Sequence, residues 1–146
     1  MRFLVDTNVF LDFFIRTGPE KEEAKNFFIS CRRLKNEIYV TSMSLRDIGY
    51  IAHGFCHNNE MARNIQCSVY GLVTKVCDTS ADAAIDALYS ENSDFEDQLQ
   101  IDAAMEILAD AIVTNDKKGF KKAGLHVFTP KQANELMSKQ HPVRIE

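Results

Sequence analysis

Short apolar runs alternate with longer segments of helical periodicity along this chain. Five runs are short enough for buried strands: 3–5, 38–40, 73–77, 111–114 and 126–128. Between them, apolar residues recur every three or four positions, as on one face of a helix. Strands separated by helices predict βαβ units. We therefore expect an α/β fold, a three-layer α/β/α sandwich with a mainly parallel central sheet of about five strands.

Residues that favour helix N-termini precede several of the periodic segments. Thr79–Asp82 and Ser93–Glu96 each have the spacing of a capping box. Thr129–Gln132 supplies the N-cap, a proline and a glutamine for the last helix. We expect one domain over residues 1–138 and a polar C-terminal tail over residues 139–146.

The composition is that of an ordinary globular domain, with 146 residues, 45% of them hydrophobic and 26% charged. Spanning a membrane takes about 20 apolar residues, and no run approaches that length. Asp6 interrupts the first apolar run, which argues against a signal peptide. These features predict a cytoplasmic protein with no membrane contact.

The cysteines and the net charge exclude few classes of protein. Four cysteines without a CxxC pair indicate reduced, mostly buried thiols, and His53, Cys56 and His57 lack the further ligands that a zinc site needs. The net charge of −4 argues against nonspecific coating of nucleic acid. It does not argue against cutting nucleic acid, because acidic metal ligands contribute to that charge.

Five aspartates fall where the carboxyl ends of the predicted strands meet. Asp6 ends the first strand, Asp47 lies early in the helix after the second, and Asp116 follows the fourth. Asp94 and Asp97 share one face at the start of another helix. The functional crevice of an open α/β sheet lies at this edge. We therefore expect the five carboxylates to converge.

Each aspartate alone has a simpler interpretation as a turn or helix-capping residue. Together, capping does not require an aspartate after one strand end after another. Clustered carboxylates raise one another's pKa unless a cation lies among them. An all-oxygen site suits Mg²⁺ or Mn²⁺ rather than zinc. Since no histidine, serine or cysteine nucleophile is evident nearby, we expect a water activated by metal.

Four stretches of the sequence resemble the PIN-domain family, in particular small prokaryotic PIN proteins of the VapC toxin type. They are Val5–Asp12, Ser42–Ile48, Asp94–Gln100 and Val113–Phe120. The resemblance covers nearly the whole chain. It implies a parallel sheet between helices, an acidic pocket that binds Mg²⁺ or Mn²⁺, and cleavage of RNA phosphodiester bonds, typically leaving a 5′ phosphate.

The resemblance also implies roles for individual residues. The matched acidic, catalytic positions are Asp6, Asp47, Asp97 and Asp116, and the metal ligands are Asp6, Asp94, Asp97 and Asp116. Asn8 and Thr114 match polar positions that support these acids. Proteins of the VapC type usually dimerise and are neutralised by a small antitoxin, so the resemblance predicts a homodimer with such a partner.

Two positions depart from the family pattern. The second acid is commonly Glu, and the shorter Asp47 leaves room for a water between its carboxylate and a metal. The stretch Lys118-Gly119-Phe120 lacks a carboxylate that relatives carry. Because Asp116 remains, activity is expected to persist. Asp12 fits the family pattern, but it lies six residues beyond Asp6 on a helix, and we interpret it as structural.

RNA contacts would come from cations near the pocket, and the candidates are Arg46, Lys117, Lys118 and Lys121, with Lys122 beside them. Such groups hold phosphates without reading sequence. Two alternatives stay open: a PIN-fold RNA-binding module with weakened catalysis, and an aspartate-based phosphotransfer enzyme. The second fits less well, because a haloacid-dehalogenase pattern needs Asp where Asn8 stands.

Overall fold

A computed structural model of the chain describes residues 1–121 and 123–141. Its elements, in chain order, are β1 (Arg2–Val5), α1 (Thr7–Phe14), α2 (Pro19–Arg33), β2 (Glu37–Thr41), α3 (Ser42–Cys56), α4 (Asn59–Leu72), β3 (Lys75–Cys77), α5 (Ala81–Tyr89), α6 (Phe95–Glu106), β4 (Ala111–Val113), a 3₁₀ turn (Lys118–Phe120), β5 (His126–Phe128) and α7 (Pro130–Gln140).

The five strands form one sheet in the order β3-β2-β1-β4-β5, and every neighbouring pair is parallel. The chain builds outward from β1 through β2 to β3, and then crosses back to place β4 on the other side of β1. This reversal opens a crevice beyond the carboxyl ends of β1 and β4, where α/β proteins bind ligands. The predicted α/β fold class is confirmed.

Alternate residues of the strands face opposite helical layers. Phe3 and Val5 of β1 belong to the larger core, which is closed by residues of α1, α2, α3, α4 and α7. Leu4 points to the other face, where it packs in a cluster with Ile101 and Ala104 of α6. Burial on both faces explains why the central strands read as continuous apolar runs. The three-layer sandwich follows.

The N-cap residues confirm one of the predicted helix starts and correct two others. Thr129 caps α7 in a full capping box with Gln132, as predicted. Ser80, not Thr79, caps α5, and Asp94, not Ser93, caps α6. In both corrections the true cap is the next residue, which is also a good capping type.

Some predicted boundaries also move. β3 begins at Lys75 because Val73 is the C-cap of α4, and β4 ends at Val113, before Thr114. Leu108 follows the end of α6 with a φ of 54° and is 80% exposed. α7 continues to Gln140. Residues 142–146 of the predicted tail lie outside the described residues, and the domain boundary stays a prediction.

All four cysteines are free thiols. Cys31 and Cys77 are buried, and burial raises their pKa to about 12 and about 11, so both remain protonated. Cys56 and Cys67 are more exposed than predicted. Within the described residues, no helix is long and apolar enough to cross a membrane.

Candidate active site

A pocket of about 460 Å³ opens at the carboxyl edge of the sheet, and all five predicted aspartates line it. The members are Asp6, Asp47, Asp94, Asp97 and Asp116. They reach it from the end of β1, the second turn of α3, the start of α6 and the segment after β4. The topology therefore brings together carboxylates that are up to 110 positions apart in the sequence.

Asp6 is the most firmly held of the five carboxylates. It caps α1, and its Oδ1 accepts hydrogen bonds from the backbone N–H of Thr7 at 2.8 Å and from Gln100 Nε2 at 3.3 Å. Its Oδ2 accepts from Thr114 Oγ1 at 2.8 Å and from Asn8 Nδ2 at 3.3 Å. Four donors fix the orientation of this side chain.

Burial raises the pKa of Asp6 above its usual value, because a buried carboxylate loses its hydration. The hydrogen bonds from Thr114 and Thr7 lower this pKa, and the charges of Asp116 and Asp94 raise it again. Without a bound cation, the folded protein therefore disfavours the ionised form of Asp6.

Asp94 and Asp97 occupy the first turn of α6, where Asp94 Oδ1 caps the helix by accepting a hydrogen bond from the Asp97 N–H at 3.0 Å. The pKa of Asp97 is raised to about 7, chiefly by burial. The negative charges of Asp94 and Asp6 are the next causes. Like-charge repulsion at Asp97 is what a bound cation would relieve.

Asp47 follows β2 and Asp116 follows β4, the two strands that flank β1 in the sheet. Asp116 is exposed, and its Oδ1 accepts a hydrogen bond from the Lys118 N–H at 3.3 Å. Asp47 does not cap α3, because Thr41 does so. Its Oδ1 instead lies 2.9 Å from Arg46 Nη2 in an ion pair.

The two predicted supporting residues contact the acids. Thr114 is fully buried; its hydroxyl donates to Asp6 and accepts the Asp116 N–H at 3.1 Å. Asn8 donates to Asp6, and its Oδ1 accepts the Asn115 N–H at 3.2 Å. Together they tie the end of β1 to the segment that follows β4.

Asp12 has the structural setting that we expected. It is 5% exposed, and it does not line the pocket. Its Oδ1 lies 3.1 Å from Arg16 Nη1, and its Oδ2 accepts a hydrogen bond from Asn115 Nδ2 at 2.6 Å. Asp12 thereby helps to fix Asn115, the residue that precedes Asp116.

The comparisons with known proteins are consistent with this geometry. The sequence model of the PIN domain matches residues 2–118. The chain belongs to the PIN-domain family. PIN domains are generally nucleases and typically use divalent metal ions. No curated protein sequence matches this PIN domain significantly.

Solved structures share the fold of this PIN domain at low sequence identity. FitAcB from Neisseria gonorrhoeae has a TM-score of 0.67 and 16% identity, with 88% of this chain and 97% of that one covered. VapBC2 from Rickettsia felis, bound to a DNA fragment from its promoter, has a TM-score of 0.63 and 18% identity, with coverages of 87% and 97%. FitAB bound to an IR36 DNA fragment has a TM-score of 0.65 and 15% identity, with coverages of 88% and 95%.

The donor set fits the divalent metal that PIN domains use. Carboxylate oxygens are hard ligands, and the pocket holds an orphaned acceptor: Gln100 Oε1 is buried without a hydrogen-bond partner. Across residues 1–121 and 123–141, no three His, Cys, Asp or Glu side chains are grouped tightly enough to enclose an ion. Mg²⁺ keeps several waters when it binds, so the aspartates of an open pocket can hold it partly through those waters.

Ser44, Gln100 and Arg16 line the pocket but were not among the predicted site residues. Gln100 Nε2 donates to Ser44 Oγ at 2.7 Å as well as to Asp6, so both belong to the network around that carboxylate. Gln100 lies three residues after Asp97 on the same helix face, and that spacing could have revealed it. Arg16 lines the pocket too, but only the path of the chain after α1 brings it there.

The predicted RNA contacts divide into two groups. Arg46 lines the pocket, whereas Lys117, Lys118 and Lys121 are not among its lining residues. Lys117 Nζ instead donates to Gln132 Oε1 at 2.9 Å, on α7. Lys122 lies outside the described residues.

Proposed function

We propose that this PIN-domain protein is a Mg²⁺- or Mn²⁺-dependent endoribonuclease that hydrolyses phosphodiester bonds. The observation that carries the proposal is the convergence of five aspartates in one pocket at the sheet's switch point. Membership of a family of nucleases supports the reaction class. RNA as the substrate rests on the resemblance to VapC-type proteins.

The residues present suggest a division of labour. Asp6, Asp94, Asp97 and Asp116 would hold the metal, and Asp47 would act with them through a water. A bound divalent ion would polarise a phosphoryl oxygen and lower the pKa of a nearby water. Asp6 is fixed by four donors, so it would enter the reaction already oriented.

Arginines at the pocket would hold the RNA backbone. Arg16 and Arg46 line the pocket, and a guanidinium can bind two phosphate oxygens at once. Lys117, Lys118 and Lys121 would act further out, as sequence-independent contacts along the strand.

We further propose that the protein is the toxin of a toxin–antitoxin pair and forms a homodimer. FitAB and VapBC2, which share the fold, were each solved with DNA. On α5 of this chain, Ile85, Leu88 and Tyr89 lie on one face and are 53%, 69% and 87% exposed. Exposed apolar faces of this kind suit protein partners. The molar mass in solution, measured by light scattering, tests the dimer; a monomer at every concentration would contradict it.

The decisive experiment incubates the purified protein with structured and unstructured RNA in Mg²⁺, in Mn²⁺ and in EDTA. The test variant is Asp6→Asn/Asp97→Asn. Its matched control is Asp78→Asn/Asp82→Asn, which removes the same charge from exposed positions outside the pocket. We expect cleavage by the wild type and the control in either metal, and none by the test variant or in EDTA.

The alternatives make different predictions in the same experiment. Cleavage that survives EDTA or the test substitutions contradicts the proposed mechanism. RNA binding without cleavage indicates a binding module, and a covalent phosphate trapped on Asp6 indicates phosphotransfer. Cleavage of DNA but not RNA overturns the substrate class alone.

A further inference from the structure

Gly119 of the 3₁₀ turn lies directly against the carboxylate of Asp97. A Cβ built on Gly119 would overlap that carboxylate, with the carboxyl carbon 2.6 Å away and the Asp97 Cβ 3.0 Å away. Contacts this short do not occur between real side chains. Asp97 can therefore keep its orientation only while residue 119 has no side chain.

The backbone does not explain this glycine. In the described part of the chain, the glycines with positive φ are Gly18 and Gly124, and Gly119 is not one of them. An L-residue could adopt the backbone conformation at position 119 without strain. The requirement for glycine comes from the space that Asp97 occupies.

A chain of hydrogen bonds fixes Gly119 relative to α6. The Gly119 carbonyl accepts from Asn92 Nδ2 at 3.0 Å. Asn92 Oδ1 accepts from the Asp94 N–H at 3.0 Å, and Asp94 caps the helix through the Asp97 N–H. Asn92 thus joins the 3₁₀ turn to the loop that presents both aspartates.

We propose that Gly119 is a positioning residue for Asp97, with Asn92 holding the glycine backbone against that carboxylate. The proposal rests on the proposed function, because it assigns Asp97 its place in the metal-binding pocket. It also accounts for the missing carboxylate in Lys118-Gly119-Phe120, since in this chain the Asp97 carboxylate occupies the space that a Cβ at position 119 would need. Gly119→Asp, which restores an acid, therefore weakens metal binding instead of strengthening it.

The steric contact is tested by thermal unfolding of four proteins without metal: wild type, Gly119→Ala, Asp97→Ala and the double variant. Overpacking in Gly119→Ala is expected to lower Tm by about 5–10 °C. In the Asp97→Ala background the same change has little effect, because the obstructing carboxylate is gone. Gly54→Ala is the matched control, since its added Cβ meets nothing within 4 Å.

The positioning role is tested by calorimetric titration with Mn²⁺ alone, at a temperature where every variant is folded. Moving a ligand off its proper orientation weakens metal affinity about 10- to 100-fold, and we expect Gly119→Ala and Gly119→Asp to fall in this range. Gly54→Ala should bind Mn²⁺ like the wild type. A purely structural role for Gly119 would lower Tm and leave this affinity unchanged.

The outcomes separate this inference from the proposed function. Wild-type Mn²⁺ affinity in Gly119→Ala overturns the positioning role, and an equal loss of Tm in both backgrounds overturns the contact with Asp97. A wild-type protein that binds no Mn²⁺ overturns the proposed function. In that case the unfolding comparison still decides whether Gly119 exists to accommodate Asp97.

Discussion

The two edges of the parallel sheet differ in how their charged side chains are paired. At the amino edge, β1 begins with Arg2, whose Nε lies 2.7 Å from Glu37 Oε2 at the start of β2. The Arg2 N–H donates to Asp110 Oδ2 at 2.6 Å, just before β4. Acids at this edge have partners within the protein. The charged side chains at this edge therefore contact one another or the backbone of the protein itself.

At the carboxyl edge, the ends of the same strands gather aspartates around a pocket. Donors orient Asp6, and Arg46 pairs with Asp47. The pKa of Asp97 is raised by burial and then by the charges of Asp94, Asp6 and Asp116. The pairing of charges at the amino edge stabilises the fold. At the carboxyl edge like charges lie together, and a bound cation would relieve their repulsion.

The largest expected difference between the two edges comes from removing one hydroxyl at each of them. Thr114→Val deletes the hydrogen bond to Asp6 Oδ2 while keeping the side chain's shape. Residues that orient metal ligands contribute about 10- to 100-fold to activity or metal affinity, so we expect a loss of RNA cleavage in that range. Steady-state cleavage of a fluorogenic RNA measures it.

Thr74→Val is the matched change at the amino edge. Thr74 Oγ1 accepts the Ile38 N–H at 2.9 Å, so its loss should lower the free energy of unfolding by about 1 kcal/mol. Cleavage by the folded protein should not change. Equal loss of cleavage in the two variants would mean that the edges do not differ in function.

The fold was predictable because its signals are local. Each strand is a short apolar run, and the all-parallel order follows from the helices between them. Even the misplaced caps at Thr79 and Ser93 missed by one residue, since each has a neighbour equally able to cap. Which neighbour is used depends on tertiary packing, and no local pattern encodes that.

The site was predictable only in part. Aspartates after successive strand ends show in the sequence, and the topology brings them to one pocket. Arg16 and Ser44 have no such pattern, because they join the pocket through the packing of α1 and α3. Lys117 follows Asp116 in sequence, yet its hydrogen bond to Gln132 directs it toward α7. Proximity in sequence was a poor guide to side-chain direction.

A smaller effect should separate arginines at the two edges. Arg16 lines the pocket, and Asp12 holds its guanidinium in place. Arg16→Ala is expected to reduce kcat/KM for RNA about tenfold, since it removes a charge-assisted hydrogen bond to phosphate. The loss should appear mainly in KM, because backbone contacts bind substrate and transition state alike.

Arg2→Ala is the control at the amino edge. It removes the pair with Glu37 and the contact with the Tyr39 ring, so a lower Tm is expected. KM and kcat should stay at wild-type values. A rise in KM for Arg2→Ala as large as that for Arg16→Ala would show that RNA binding uses both edges.

The last expected effect is a slope of stability with pH, to which the carboxyl edge contributes through Asp97. The pKa of Asp97 is raised to about 7 in the folded chain from 3.8, so between these values the folded state binds the extra proton. The metal-free protein should therefore lose stability as pH rises from about 4 to 7. Urea unfolding at pH 5 and pH 8 measures the slope. Asp97→Asn should reduce it, whereas Thr74→Val, which changes no titratable group, should keep it. A slope that Asp97→Asn leaves unchanged would contradict the raised pKa of Asp97.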